Sequence, residues 1–127
     1  MDDEFVPYEE SKALYDLGYD EPFLGRFRAP ANRLVYGFEL THTPSHVLGV
    51  IAPLYQQAFR WFMDIYGLYV EPFVDDNEEF GFMVTYFIPL GRTDMPVKGG
   101  FKTPKERDLA CIRFLIETVK SGKKKRV

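Results

Sequence analysis

The sequence predicts an α+β domain with a mainly antiparallel sheet of three to four strands packed by helices, in the order α-β-α-β-β-α. Three observations predict it. Two segments, one opening at Pro53 and one at Thr103, carry helical periodicity between start and stop signals. Two apolar runs flank the polar turn DDNEE, Asp75 to Glu79, and read as a β-hairpin with a longer loop. At 127 residues the chain holds one comfortable core and is too short for two.

The first helix is read in PYEESKALYDLG. Pro7 suits a first helical turn, Glu9 and Glu10 favour the positive end of the helix dipole, and Gly18 takes the left-handed stop. Ala13, Leu14 and Leu17 give a narrow apolar stripe. YDEPFLGRFRAPAN is then a loop of turn formers; Phe23, Leu24 and Phe27 are costly to leave in water, so it folds over something. RLVYGFEL, Arg33 to Leu40, is a strand by its β-branched and aromatic content, with a bulge at Gly37. THTPSHVLG is loop.

The second helix lies in IAPLYQQAFRWFMDIYGLYVEP, with Pro53 at its first turn and Gly67 at its stop. At about 100° per residue, Gln56, Gln57, Arg60 and Asp64 share one arc. Leu54, Tyr55, Ala58, Phe59, Phe62, Ile65 and Tyr66 fill most of the remainder, with Trp61 and Met63 at the borders. The apolar arc is wider than one sheet face needs. The helix is therefore wedged between layers, covered by the first helix and the aromatic loop, or turned to a partner; a central core helix with one wet edge is preferred. Trp61, beside Gln57 and Arg60, is the best candidate for contact with a partner.

LYVEPFV and FGFMVTYFIP are the arms of the hairpin. Pro72 makes the first an edge strand or bulges it. Both faces of the second are largely apolar, Phe80, Phe82, Val84, Tyr86 and Ile88 against Met83, Thr85 and Phe87, which marks a central strand. GRTDMPVKGG is read as a loop. TPKERDLACIRFLIETVKSG is the clearest helix: Thr103 and Glu106 form a capping box around Pro104, and Gly122 closes it. The domain is placed at residues 1–122, and residues 123–127 are read as a disordered basic tail.

Charge narrows the partners. The net charge is −3, and the five bases Lys120, Lys123, Lys124, Lys125 and Arg126 leave −8 on the rest of the chain. Such a body binds nucleic acid poorly, because phosphate contacts need clustered Lys and Arg. The single cysteine, Cys111, excludes an intramolecular disulfide and reads as intracellular and inert. The acidic MDDEF start is wrong for a secretory signal, and FGFMVTYFIPL is far short of a membrane helix. Of the 12 Phe, 8 Tyr and 1 Trp, part is core, which at this size can hold many rings, and an excess often ends up at a contact surface.

Little in the chain resembles catalytic machinery. His42 and His46 are separated by Pro44 and lack the third and fourth ligands of a zinc site. DDNEE lacks the ligand spacing and mid-loop glycine of a calcium loop. No nucleophile stands beside a base, so no enzyme is expected, and no cofactor or metal is implied. The start of the last helix, with Lys98, Lys102 and Lys105 nearby, is a candidate anion site.

PYEESKALYDLGYDEP, APLYQQAFRWFMDIYGLYVEP and GFKTPKERDLACIRFLIETVK together resemble a group of small proteins from Bacteroides-type bacteria and their phages. The shared order is a Pro-Tyr-Glu helix ending in Leu-Gly, a Gln-Gln-Ala-Phe-x-Trp-Phe helix ending in Tyr-Gly-Leu, a hairpin, and a Thr-capped last helix containing Ala-Cys. Only Phe23 to Gly49 and the basic tail fall outside it, and the GRTDMPVKGG loop and KKKRV depart from the pattern. The resemblance carries no activity; it implies a phage or mobile-element accessory protein in the host bacterial cytoplasm. In architecture alone, helix, hairpin, loop and capped helix also resemble a double-stranded-RNA-binding domain.

The leading expectation is a non-enzymatic protein that binds a host protein or self-associates, with Gln57, Arg60 and Trp61 at the contact. The alternative is a small anionic ligand, such as a signalling nucleotide, held where Lys98, Lys102, Arg60 or Arg92 converge, as an antagonist of host defence would hold it. Weak nucleic-acid binding through the last helix and the tail is the third. No membrane partner is expected.

Overall fold

The structure, a computed structural model, describes residues 4–19, 25–28, 33–36 and 50–127. Among these are three α-helices and seven strands: α1 (Tyr8–Asp16), β1 (Gly25–Arg28), β2 (Arg33–Tyr36), β3 (Val50–Ala52), α2 (Tyr55–Tyr66), β4 (Tyr69–Val74), β5 (Phe80–Ile88), β6 (Arg92–Asp94), β7 (Val97–Phe101) and α3 (Pro104–Lys120). A 3-10 turn, Pro89–Gly91, joins β5 to β6. All the described strand pairs are antiparallel, so the fold is α+β. The chain divides into two compact units, Met1–Ala58 and Phe59–Val127, with the division inside α2.

In the first unit β1 is the middle strand of a three-stranded sheet, β2-β1-β3. α1 packs on β3. The segment before α1 is pinned to the lead-in of α2: Val6 N–H donates to the Pro53 carbonyl at 2.9 Å, and Phe5 bridges Leu54. Buried Ser11 donates its hydroxyl to the Val6 carbonyl at 2.9 Å. Pro7 stands one residue before α1, its carbonyl accepting the Ser11 N–H at 2.8 Å. Phe5, Val6, Leu14 and Tyr19 are buried; of the expected stripe only Leu14 is fully so. This sheet was not expected as such. The strand read at Arg33 to Leu40 is described at Arg33–Tyr36, while GRFR has no β-branched residue and VIA reads as the approach to a helix. Gly37, Phe23, Leu24, His42 and His46 lie outside the described residues.

The second unit is built on β5, with β4 along one edge and β6 and β7 along the other. β4 pairs with β5 from Tyr69 opposite Thr85 to Val74 opposite Phe80. Among the described residues β4 pairs with β5 alone, so the strand containing Pro72 is an edge strand, as expected. The hairpin tip is tied by Asp75, whose Oδ1 accepts the N–H of Asn77 at 2.8 Å and of Glu79 at 3.0 Å. The reading of 91–100 as a loop is corrected. β6 and β7 continue one register along β5, Ile88 opposite Arg92, Tyr86 opposite Asp94, Met83 opposite Val97, interrupted only at Met95 and Pro96. Even there the Val84 N–H donates to the Pro96 carbonyl at 3.0 Å. A central strand needs a partner on both edges, and 92–101 supplies the second. Near Phe101 the register slips, and Gly100, at φ 84°, takes the left-handed turn such a bulge requires.

α3 packs across β5 and β7. Phe82, Val84 and Tyr86 meet the helix side, where Ile112, Leu115 and Ile116 are buried and Phe114 lies 6.0 Å from the Phe82 ring. Gly18, Gly67 and Gly122 all have positive φ at the helix ends where they were expected. The capping box is modified. Thr103 Oγ1 accepts the Glu106 N–H at 3.1 Å, but Glu106 returns its carboxylate to the N–H of Lys102, one residue before the cap, at 3.0 Å. Thr103→Ala is expected to cost about 1 kcal/mol in denaturant melts.

Residues 123–127, expected as a disordered basic tail, reach back to the end of α2. The Val127 N–H donates to the Ile65 carbonyl at 2.8 Å, and Arg126 stands 5.9 Å from the Tyr66 ring. The last carbonyls of a helix carry the negative end of its dipole, so a cationic segment is attracted to this end of α2.

Candidate functional site

The six residues singled out from the sequence do not form one site. Trp61 is buried, at 1% exposure, with its ring edge-on to Phe62 at 5.1 Å and to Tyr66 at 5.4 Å. It is a core residue, in keeping with the preferred reading of α2 as a central core helix and not with the alternative of an exposed contact: the border of the apolar arc falls inside the packed region, because Ala58, Phe62 and Tyr66 are buried as well. Gln57 closes the start of α2, its Oε1 accepting the Leu54 N–H at 2.9 Å. Arg60 is on the wet edge and pairs one turn along with Asp64 at 3.8 Å.

The three lysines are exposed. Lys98 lies 6.0 Å from the Phe114 ring, on the helix side of the sheet. Lys102 is ion-paired with Glu79 of the hairpin tip, which holds its ammonium above the usual range through that hydrogen bond and charge. At the start of α3 much of the donor capacity is used internally: Pro104 has no N–H, Glu106 N–H goes to Thr103, and the preceding Lys102 N–H goes to Glu106. The anion site read there is thus occupied in good part by the chain's own carboxylate. Asp75, Asp76 and Glu78 stand exposed at the same end, which opposes phosphate.

Chemistry elsewhere is sparse. Burial pushes the Cys111 thiol far above its usual range, with the Asp108 charge adding to it, so the nucleophilic thiolate is suppressed. Among the described residues no three His, Cys, Asp or Glu side chains group so as to hold a metal ion. No described helix is long and apolar enough to cross a membrane.

Tyr86 donates its hydroxyl to Asp94 Oδ2 at 3.0 Å across the β5–β6 pair. Burial first, then this hydrogen bond and the carboxylate's charge, raise its phenol above the ordinary value. A raised phenol contributes stability that is whole below the unfolded value of about 10 and is lost as pH climbs through the folded one. Stability is expected to fall in urea melts above about pH 10, and Tyr86→Phe to flatten that fall while costing about 1–2 kcal/mol near neutral pH.

The surface the sequence reading missed is the other face of the second sheet. Directly opposed residues of an antiparallel pair point to the same side. Phe82, Val84 and Tyr86 face α3, so Tyr69, Glu71 and Phe73 on β4, Met83, Thr85 and Phe87 on β5, and Thr93 and Val97 across from them all lie on the outer side. Met95 joins them by continuation of the register. Tyr69 is 50% exposed, Phe87 61%, Met95 55% and Val97 59%, with Phe73, Met83 and Thr85 half-buried between them. Glu71 is the only charge on this face among those positions. The alternation of β5 carried the signal, since Met83 and Phe87 are not residues a wet face selects.

Family models, curated proteins and solved structures were each compared with the chain, and none matches it.

Proposed function

We propose that the chain is a non-enzymatic binding protein that works by protein contact, on a partner protein or on another copy of itself, through the outer face of the β4–β7 sheet. The observation that carries this reading is the exposed apolar cluster of Tyr69, Phe87, Met95 and Val97. One side of an antiparallel sheet is commonly wet, but a wet side is then polar; four large exposed apolar side chains on one face, with Glu71, Thr85 and Thr93 as its polar members, mark a contact surface or a liability. The role as a phage or mobile-element accessory protein in a bacterial cytoplasm rests on the resemblance of the helical segments and is part of the same proposal. Small-anion and nucleic-acid readings receive less support, because Lys102 is engaged by Glu79 and the neighbouring turn is acidic.

The test is Phe87→Glu, examined for association in size-exclusion with light scattering and in co-purification from the cells that make the protein. Phe87 is exposed, so stability is expected to stay within about 0.5 kcal/mol of the parent. Association is expected to be lost. Association that survives the change would exclude this face.

A further inference from the structure

Among the described residues the second sheet has two edges, β4 on one side of β5 and β6–β7 on the other. They differ in what they offer. The Val84 N–H donates to the Pro96 carbonyl, so the Val84 backbone turns toward β6–β7, and by alternation that of Met83 turns toward β4. Met83 is opposite Glu71, so on β4 the backbones of Tyr69, Glu71 and Phe73 bond inward and those of Val70, Pro72 and Val74 turn out. The middle outward position of that edge is thus a proline with no N–H, which guards it against a further strand. On the other edge the parity is reversed. Arg92, Asp94, Pro96 and Lys98 lie at the inward positions, so the missing N–H of Pro96 falls on the inner side. Thr93, Met95 and Val97 turn their N–H and carbonyl groups outward. From Arg92 to Lys98 every residue is exposed except half-buried Pro96.

We propose that a second copy of the chain pairs antiparallel along the β6–β7 edge, about a two-fold axis that stands between the two Pro96 residues and perpendicular to the sheet. Charge selects this register. Bonded pairs must match outward position to outward position, which near the middle of the edge leaves an axis beside Met95, Pro96 or Val97. An axis beside Met95 sets Arg92 opposite Lys98 of the second copy, two like charges. An axis beside Val97 sets Asp94 opposite Gly100 and Lys98 opposite Pro96, which pairs no opposite charges. The axis beside Pro96 sets Asp94 opposite Lys98 and Lys98 opposite Asp94, so opposite charges meet twice on the α3 side of the sheet. The Tyr86 hydroxyl, bonded to Asp94 Oδ2, orients that carboxylate. Met95 and Val97 form the bonded pairs, and their side chains meet on the outer face. Pro96 opposes itself in a non-bonded pair, where the ladder asks for no N–H. A strand of another sequence would have to carry the same two charges in reverse order; this edge is its own complement. The outer faces of both copies stay on one side, so their apolar clusters run together. The inference goes beyond the reading of that face and does not depend on it. Pairing over about seven residues buries less than the roughly 800 Å² per partner of a standard interface, so the dimer is reversible and dissociates on a size-exclusion column.

The experiment is sedimentation velocity on the full chain from about 1 to about 200 µM, at low and raised salt. The unaltered protein is expected to dimerise in this range, more weakly as salt rises. Lys98→Glu sets two acids opposite each other, and Asp94→Lys sets two lysines opposite each other. Each change is expected to weaken the homodimer by about tenfold. An equimolar mixture of the two variants restores both opposite-charge pairs and is expected to regain the dimer of the unaltered protein. Asp94→Lys also loses the Tyr86 hydrogen bond, so its fold is checked by circular dichroism, and recovery in the mixture separates lost pairing from lost structure. A mixture no better than either variant alone overturns the proposal, and so does unaltered protein that stays monomeric at the highest concentration. Phe87→Glu, on the central strand, is expected to leave this dimer in place. If Phe87→Glu abolishes it while the charge variants do not, the copies join through the face and the edge pairing falls alone. If the mixture recovers while Phe87→Glu leaves capture of a different protein unchanged, the reading of the face falls and the edge pairing stands.

Discussion

Trp61→Ala is expected to lower stability by about 3–5 kcal/mol, the range for large aromatic truncations in cores. The ring is 1% exposed and edge-on to both Phe62 and Tyr66, so its loss opens a cavity between two other buried rings. Edge-to-face aromatic pairs contribute beyond the area they cover. Trp61→Phe keeps part of the ring contact and is expected to cost markedly less. Chemical denaturation measures both. An Ala variant nearly as stable as the parent would mean that the ring is not in the core and would return α2 to the list of contact surfaces.

Gly81→Ala is expected to cost about 2–3 kcal/mol, although it adds one methyl group. Gly81 is opposite Phe73, whose ring lies over it: a Cβ there would come within 2.4 Å of Phe73 Cζ and 2.6 Å of the Lys98 carbonyl oxygen. The ring is the far end of a side chain and swings away. The carbonyl is backbone of β7, so relieving it means parting β7 from β5. The two contributions separate in a double variant. Phe73→Ala in the Gly81→Ala background removes the ring clash and leaves the carbonyl clash, so most of the loss is expected to persist in urea melts. Full recovery would show that the ring alone makes the position demand glycine.

The helices and the hairpin were legible because their signals are local. Thr103, Pro104 and Gly122 mark the ends of α3 by cap chemistry, and the polar arc of Gln56, Arg60 and Asp64 marks the wet edge of α2. Strands β6 and β7 were not legible, because Pro96, Gly99 and Gly100 are turn formers and only the second edge of β5 requires them to pair. In the tail a run of lysines reads as solvated, and nothing local in it points to the end of α2, where the Val127 N–H bonds the Ile65 carbonyl. The site was hidden differently. Reading which of two apolar strand faces is covered requires knowing where α3 lies, and no residue of β5 carries that information. Trp61, the single tryptophan, is taken up by packing, while Phe87 is the exposed phenylalanine among those whose side chains are described.

The central claim, that the sheet face turned away from α3 makes the contact, is tested most directly by a photoreactive benzoylphenylalanine in place of Phe87, with the same probe in place of exposed Arg113 on α3 as its comparison. Irradiation is expected to give a covalent adduct from position 87, to a second copy or to a partner protein, and none above background from position 113. Adducts from position 113 with none from position 87 would place the contact on the helix side and contradict the account.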